Sequence, residues 1–293
     1  MSEHRLFGNL FLSAGAMKAG TTWLFAVLQR HPDLYFTPEK EIHYFYHRYV
    51  NGNVLNDRRR LKEARDRYIL RFDPAKANIE YIRRNLHWVA QYLSSPIDDF
   101  WYRGLFAYMR NETYGCDFSN LYAHLPAEAW SRISAQCDRL RVLYTLRHPV
   151  KRLWSHVRFQ LQLSGDLGKL QTWSPEELRS FSRQPHIWDN AEYGRVLRSM
   201  SAGLAPEMLK VILYEDLHAD HRKVLAEIED FLDIARFDYP EALLSRRINE
   251  SVKSPMPEFF PGLFAEDFER IMDEVEAEGL AVPASWRIAE RAA

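Results

Sequence analysis

Apolar residues along this chain fall into short runs that alternate with stripes spaced at the helical period. Leu10-Phe11-Leu12, Leu34-Tyr35-Phe36, Arg141 to Leu146 and Leu209 to Leu213 are short and β-prone, as buried strands require. Between them Trp23, Leu24, Val27 and Leu28 share one helical face, and Val150, Leu153, Trp154, Val157 and Leu161 share another. Pro32 closes the first stripe, and Pro149 suits the opening position of the second. The alternation predicts an α/β protein with a central, mainly parallel sheet flanked by helices on both faces. A further helix follows the strand at 209–213 and runs through Phe231-Leu232, and residues 264–279 read as a charged amphipathic helix.

The region from about 46 to 112 departs from this rhythm and predicts a helical insertion within one domain spanning 1–293. From Asp57 to Arg71 acidic residues interleave with arginines, which predicts a solvated amphipathic helix and not a nucleic-acid patch. Tyr92, Phe100, Trp101, Tyr102, Phe106 and Tyr108 crowd the end of the insertion, either as core or as the wall of an acceptor pocket. Gly165 to Gln184 is polar, carries Pro175 and is followed by Pro185, so it predicts an exposed loop with a short helix, a segment suited to a lid.

The sharpest chemistry follows the first strand. Gly15-Ala16-Met17-Lys18-Ala19-Gly20 breaks the apolar run, and Thr21-Thr22 opens the helix of Trp23. Amides at a helix start, with the helix dipole behind them, bind an anionic group, and Gly20 lets the backbone approach it. Lys18 adds a charge, and Thr21 and Thr22 add hydroxyl donors, so the stretch reads as a site for phosphate or sulfate. The nucleotide triphosphatase loop, GxxxxGK[ST], places lysine directly after the second glycine. Here the spacing is G-x-x-K-x-G-T-T, with lysine two residues before it.

Composition narrows the field. A formal net charge of -1 supplies no global field to recruit nucleic acid or an anionic membrane, so any anion site is local. Two cysteines, Cys116 and Cys137, are too few for a disulfide framework or a zinc site and read as reduced core thiols. His43 and His47 lie four apart, but Tyr44 stands where a zinc protease needs glutamate, so no metal is expected. No apolar run approaches membrane-spanning length, and residues 1–17 make a poor signal peptide.

The loop from Gly15 to Thr22 resembles the 5'-phosphosulfate loop of sulfotransferases that use 3'-phosphoadenosine 5'-phosphosulfate (PAPS). The resemblance extends along most of the chain. Lys40-Glu41-Ile42-His43-Tyr44-Phe45 is similar to the K-E-x-H-F-F segment of the heparan-type and bacterial members, in which the glutamate is the general base. This implies Glu41 as base, with a pKa raised by Ile42, Tyr44 and Phe45, and His43 as the second candidate. Arg147, at the end of the run from Arg141, and Ser155, eight residues on, resemble the family's 3'-phosphate pair. That pair distinguishes PAPS from ATP. Gly115-Cys116-Asp117-Phe118-Ser119-Asn120-Leu121-Tyr122 matches the family's G-[ED]-x-[ST]-P-x-Y segment partially, with one extra residue after Gly115 and Asn120 in place of proline. Tyr214-Glu215-Asp216-Leu217 is similar to a structural Y-E-D-L stretch of the family, and Asn249-Glu250-Ser251 with Lys253 resembles its C-terminal region, where in some relatives a lysine or arginine closes over the 3'-phosphate, which makes Lys253 a candidate for that role.

The resemblance therefore implies a P-loop-like three-layer fold and in-line sulfuryl transfer from PAPS, leaving PAP, to a hydroxyl, or secondarily an amine, of a carbohydrate or small metabolite. The implied donor site is Lys18, Ala19, Gly20, Thr21, Thr22, Trp23, Arg147, Ser155 and Lys253, with Lys18, Glu41 and His43 catalytic and no metal. A cytoplasmic, bacterial enzyme is expected, with the oligomeric state open. The competing readings are a nucleotide kinase or triphosphatase, favoured by the acidic end of the strand at 209–213, and a silent PAP-binding protein.

Overall fold

The computed structural model describes residues 5–66, 75, 78–246 and 254–287. Strands β1 (Phe7–Ser13), β2 (Leu34–Phe36), β3 (Tyr114–Phe118), β4 (Cys137–Leu146) and β5 (Leu209–Leu213) form one sheet in the order β2-β3-β1-β4-β5. Its four pairings are parallel, with Leu10 opposite both Gly115 and Leu140 and Val142 opposite Leu209. Parallel strands need crossovers, and here the crossovers are helices that cover both faces.

The helices are α1 (Thr21–Leu28), α2 (Tyr44–Tyr49), α3 (Asp57–Ala64), α4 (Ile79–Leu93), α5 (Asp99–Gly104), α6 (Ala127–Gln136) and α7 (Pro149–Ser164), followed by α8 (Pro175–Ser182), α9 (Pro185–Trp188), α10 (Tyr193–Gly203), α11 (Tyr214–Ala219), α12 (His221–Leu232), α13 (Glu241–Leu244) and α14 (Ala265–Ala277). Alternating residues of β1 supply the two cores: Leu10 and Leu12 join one cluster, and Phe11 joins the other. The four apolar positions that predicted α1 are all buried in the second cluster, and those that predicted α7 are buried in the first.

Helices α2 to α5 fill the connection between β2 and β3. The aromatic residues there divide. Tyr92, Trp101 and Tyr102 are core, Trp88 and Tyr92 stack at 5.0 Å, and Phe100 is 70% exposed. They do not form one pocket wall, because a short helix cannot turn consecutive residues Phe100, Trp101 and Tyr102 to one side. Tyr108 instead lines a cavity of about 1030 Å³ beside β2, with Tyr35, Arg83, Arg84 and Arg110.

Strand order fixes where a site can form. The chain leaves β1 toward β2 and leaves β4 toward β5, so the loops after these neighbouring strands run in opposite directions. That divergence opens a crevice at their carboxyl ends, the usual ligand position in open α/β sheets. The β1–β4 pairing continues past the strand into the loop, with Ala14 N donating to Leu143 O at 2.9 Å, Ala16 N to Thr145 O at 2.8 Å and Thr145 N to Gly15 O at 2.8 Å. The loop is thus seated on the sheet. No helix among the described residues is long and apolar enough to cross a membrane.

Candidate active site

The loop after β1 curls back through two left-handed residues, Lys18 (φ +70°) and Gly20 (φ +86°), before α1 begins. The amide of Ala19 donates to Ala16 O at 3.2 Å, and that of Trp23 to Gly20 O at 3.0 Å. Thr21 and Thr22 open the helix, where backbone amides have no intrahelical acceptor. Gly20 has a packing reason beside the one its position predicts. A β-carbon there would lie 3.0 Å from Tyr214 Cδ2 and 3.6 Å from Leu217 Cδ2, so the α-hydrogen it would replace faces protein. The Trp23 ring is buried, 4.9 Å from that of His221.

Arg147 leaves the end of β4 and meets the loop directly, donating from Nη1 to Lys18 O at 2.8 Å. Its guanidinium lies 4.3 Å from the centre of the Tyr214 ring, and its carbonyl accepts from Tyr193 OH at 2.8 Å. Tyr214 therefore supports both Gly20 and Arg147. Glu215, next in the chain, accepts at Oε1 from the amide of His148 at 3.1 Å and so ties β5 to the start of α7. Ser155 is buried two turns into α7.

Three cations converge here. The Lys18 ammonium lies 4.5 Å over Phe159, and burial, Arg147 and Arg158 together lower its pKa to about 8. Burial and Arg147 also lower that of Arg158. Arg158 escaped the sequence reading, although it lies three residues after Ser155 and seven after Lys151 on one helical face. Its Nη1 and Trp154 Nε1 each donate to Ser254 O at 3.3 Å, which holds the chain beside α7. Lys253 and Asn249 to Ser251 lie outside the described residues.

The second cluster sits at the carboxyl end of β3. Glu41 Oε1 is 3.1 Å from Lys40 Nζ, and its Oε2 is 3.1 Å from His43 Nε2. Burial pushes the Glu41 pKa up, as the apolar neighbours predict, but Lys40 and His43 outweigh it and hold the carboxyl at about 2. The expected raised pKa is thus reversed in the free protein. His43 N donates to Ser119 Oγ at 2.9 Å, and Ser119 N donates to Ser13 O, at the end of β1, at 3.0 Å. A β-carbon on Gly15 would lie 3.4 Å from Asn120 O, so the loop after β1 also touches this segment. Glu41 and His43 therefore belong to the same end of the sheet as Lys18 and Arg147.

A lysine-bearing loop after one strand, an arginine after its neighbour and a carboxylate–imidazole pair beside them thus share one end of the parallel sheet, where ligands bind in folds of this class. Residues 12–239 match the model described as "Sulfotransferase family", which covers both clusters, and the chain belongs to that family. A membrane-associated sulfotransferase, kil1, of Dictyostelium discoideum is 22% identical, covering 85% of this chain. This chain spans 62% of that relative's length. Among solved structures, a sulfotransferase from Alicyclobacillus acidocaldarius superposes with a TM-score of 0.62 at 21% identity, covering 95% of this chain and 98% of its own. The sulfotransferase domain of the Synechococcus PCC 7002 olefin synthase gives 0.52 at 19%, covering 96% and 98%. These two share the fold.

Proposed function

We propose that this protein transfers a sulfuryl group from PAPS to a hydroxyl of a carbohydrate or small-metabolite acceptor. The observation that carries the reading is the convergence of Lys18, Arg147 and Arg158. Arg147 lies close enough to lower the pKa of both Lys18 and Arg158, so the cations repel, and a polyanion relieves that repulsion. Lys18 with the amides of Gly20, Thr21 and Thr22 would hold the 5' end, while Ala19 and Trp23 brace the loop. Arg147 and Ser155, with Lys253, would hold the 3'-phosphate, since a planar guanidinium suits bidentate phosphate contact.

PAPS supplies a sulfuryl group joined through oxygen to a phosphate. Glu41 accepts the hydroxyl proton of the acceptor as that oxygen bonds to sulfur, and the bond from sulfur to the phosphate's bridging oxygen breaks. Lys18 and the loop amides neutralise the charge on the departing oxygen, the role that cations and amides play in phosphoryl transfer. A base held at about 2 is weak, but the arriving donor brings negative charge that raises a neighbouring carboxylate's pKa. His43 keeps Glu41 oriented. The kinase reading is opposed by the lysine of the loop, which stands two residues before the second glycine and not directly after it. Buried free Cys116 and Cys137 favour a reducing, cytoplasmic setting.

Conversion of PAPS to PAP, followed with water as acceptor and with a panel of phenols and sugars, tests the reading. The wild type should release PAP, while Lys18→Met and Glu41→Gln should each be slower by at least about 100-fold. Equal rates in all three proteins would overturn it.

A further inference from the structure

Asp117, the fourth residue of β3, is buried and collects three hydroxyl groups. Its Oδ1 accepts from Ser119 Oγ at 2.7 Å, and its Oδ2 accepts from Tyr122 OH at 2.5 Å and Tyr102 OH at 3.1 Å. Two of these hydroxyls reach onward. Ser119 Oγ accepts from His43 N at 2.9 Å, and Tyr122 OH accepts from Phe45 N at 3.4 Å. A hydroxyl has one proton, so each can accept an amide only while its own proton points elsewhere. Asp117 is where those protons point.

The segment held in this way is unusual. His43 sits at φ +63°, a left-handed conformation that a residue with a side chain keeps only when its surroundings impose it. It is also the residue before α2, and its ring is the one that meets Glu41. We infer that Asp117 is a positioning residue for sulfuryl transfer: by orienting the Ser119 and Tyr122 hydroxyls it fixes the backbone at His43 and Phe45, and thereby aims the Glu41–His43 pair. The inference rests on the function proposed above. A carboxylate is needed because it only accepts. Asparagine would turn an NH2 group toward Ser119 or toward the tyrosines, leaving a hydroxyl proton without its acceptor and free to turn against the amide that hydroxyl receives.

The test compares Ser119→Ala, Ser119→Thr and Asp117→Asn with the wild type. It measures PAP affinity, the kcat and KM for PAPS with water as acceptor, and hydrogen exchange at the His43 amide. Ser119→Ala and Asp117→Asn should lower kcat at least tenfold, with KM and PAP affinity within about threefold, and should speed exchange at His43 at least tenfold. Ser119→Thr should restore most of both. A Ser119→Ala protein with wild-type kcat, or with unchanged exchange at His43, overturns the inference, and this variant carries the test if Asp117→Asn fails to fold. A wild type that binds PAP but never releases it from PAPS defeats the transfer reading instead, and exchange at His43 then still decides whether Ser119 and Asp117 hold that backbone.

Discussion

The depressed pKa of Lys18 makes donor binding depend on pH in a calculable way. Burial, Arg147 and Arg158 bring it from 10.5 to about 8, so in the free protein the ammonium is nearly all charged at neutral pH and mostly neutral by about pH 9. A bound polyanion favours the charged form and restores the usual value. Linkage then sets the magnitude: affinity for PAP should fall about tenfold between pH 7 and 9, because the ligand must recharge the lysine as it binds. The same bookkeeping predicts uptake of about 0.1 proton per PAP bound at pH 7 and about 0.9 at pH 9. Calorimetry in buffers of different ionisation enthalpy measures both. Lys18→Met should bind more weakly at pH 7 and abolish the uptake at pH 9. Affinity that stays level from pH 7 to 9, or uptake that survives in Lys18→Met, would refute the placement of this ammonium against the donor.

Other expectations follow from particular contacts. The Glu41 carboxyl is held at about 2 against an ordinary 4.5, so its stabilising contribution is complete above pH 4.5 and is lost as pH falls toward 2. Glu41→Gln should therefore flatten the acid limb of stability in that window, as read by denaturant unfolding, while lowering turnover at neutral pH. Gly20→Ala places a β-carbon 3.0 Å from the Tyr214 ring in a left-handed conformation that costs about 1–2 kcal/mol on its own. Thermal unfolding should come at least about 2–4 °C lower, with weaker PAP binding, and an unchanged Tm would contradict the packing described. Tyr214→Leu removes the ring beneath Arg147 and should weaken PAP binding more than it lowers Tm.

Much of this arrangement was legible because it depends on local pattern. The run at Leu10, the spacing of Gly15, Lys18 and Gly20, and the stripe from Trp23 to Leu28 act within one strand-loop-helix unit, and the structure builds that unit as predicted. Arg147 could be placed at a strand end for the same reason. What the sequence concealed depends on side chains that meet across the fold. Nothing local says that the bare side of Gly20 faces Tyr214, about 190 residues away, or that Tyr193 reaches the Arg147 carbonyl. The sign of the Glu41 shift was missed because its apolar neighbours are visible in sequence, whereas the turn that brings Lys40 and His43 onto its two oxygens is not. The Gly115–Tyr122 motif aligned only with an extra residue, yet Asp117, Ser119 and Tyr122 meet in one hydrogen-bonded network. Ser119 and Tyr122 lie past the end of β3, and the turn there folds both hydroxyls back onto Asp117.

The central claim is that the crevice between β1 and β4 binds a sulfuryl donor and not a nucleoside triphosphate. Calorimetric binding of PAP, ADP and ATP, each with and without magnesium, to the wild type and to Arg147→Ala tests it most directly. PAP should bind at least about tenfold more tightly than ADP or ATP, independently of magnesium, and Arg147→Ala should erase this preference. Magnesium-ATP bound as tightly as PAP or more so, and indifferent to Arg147, would contradict it.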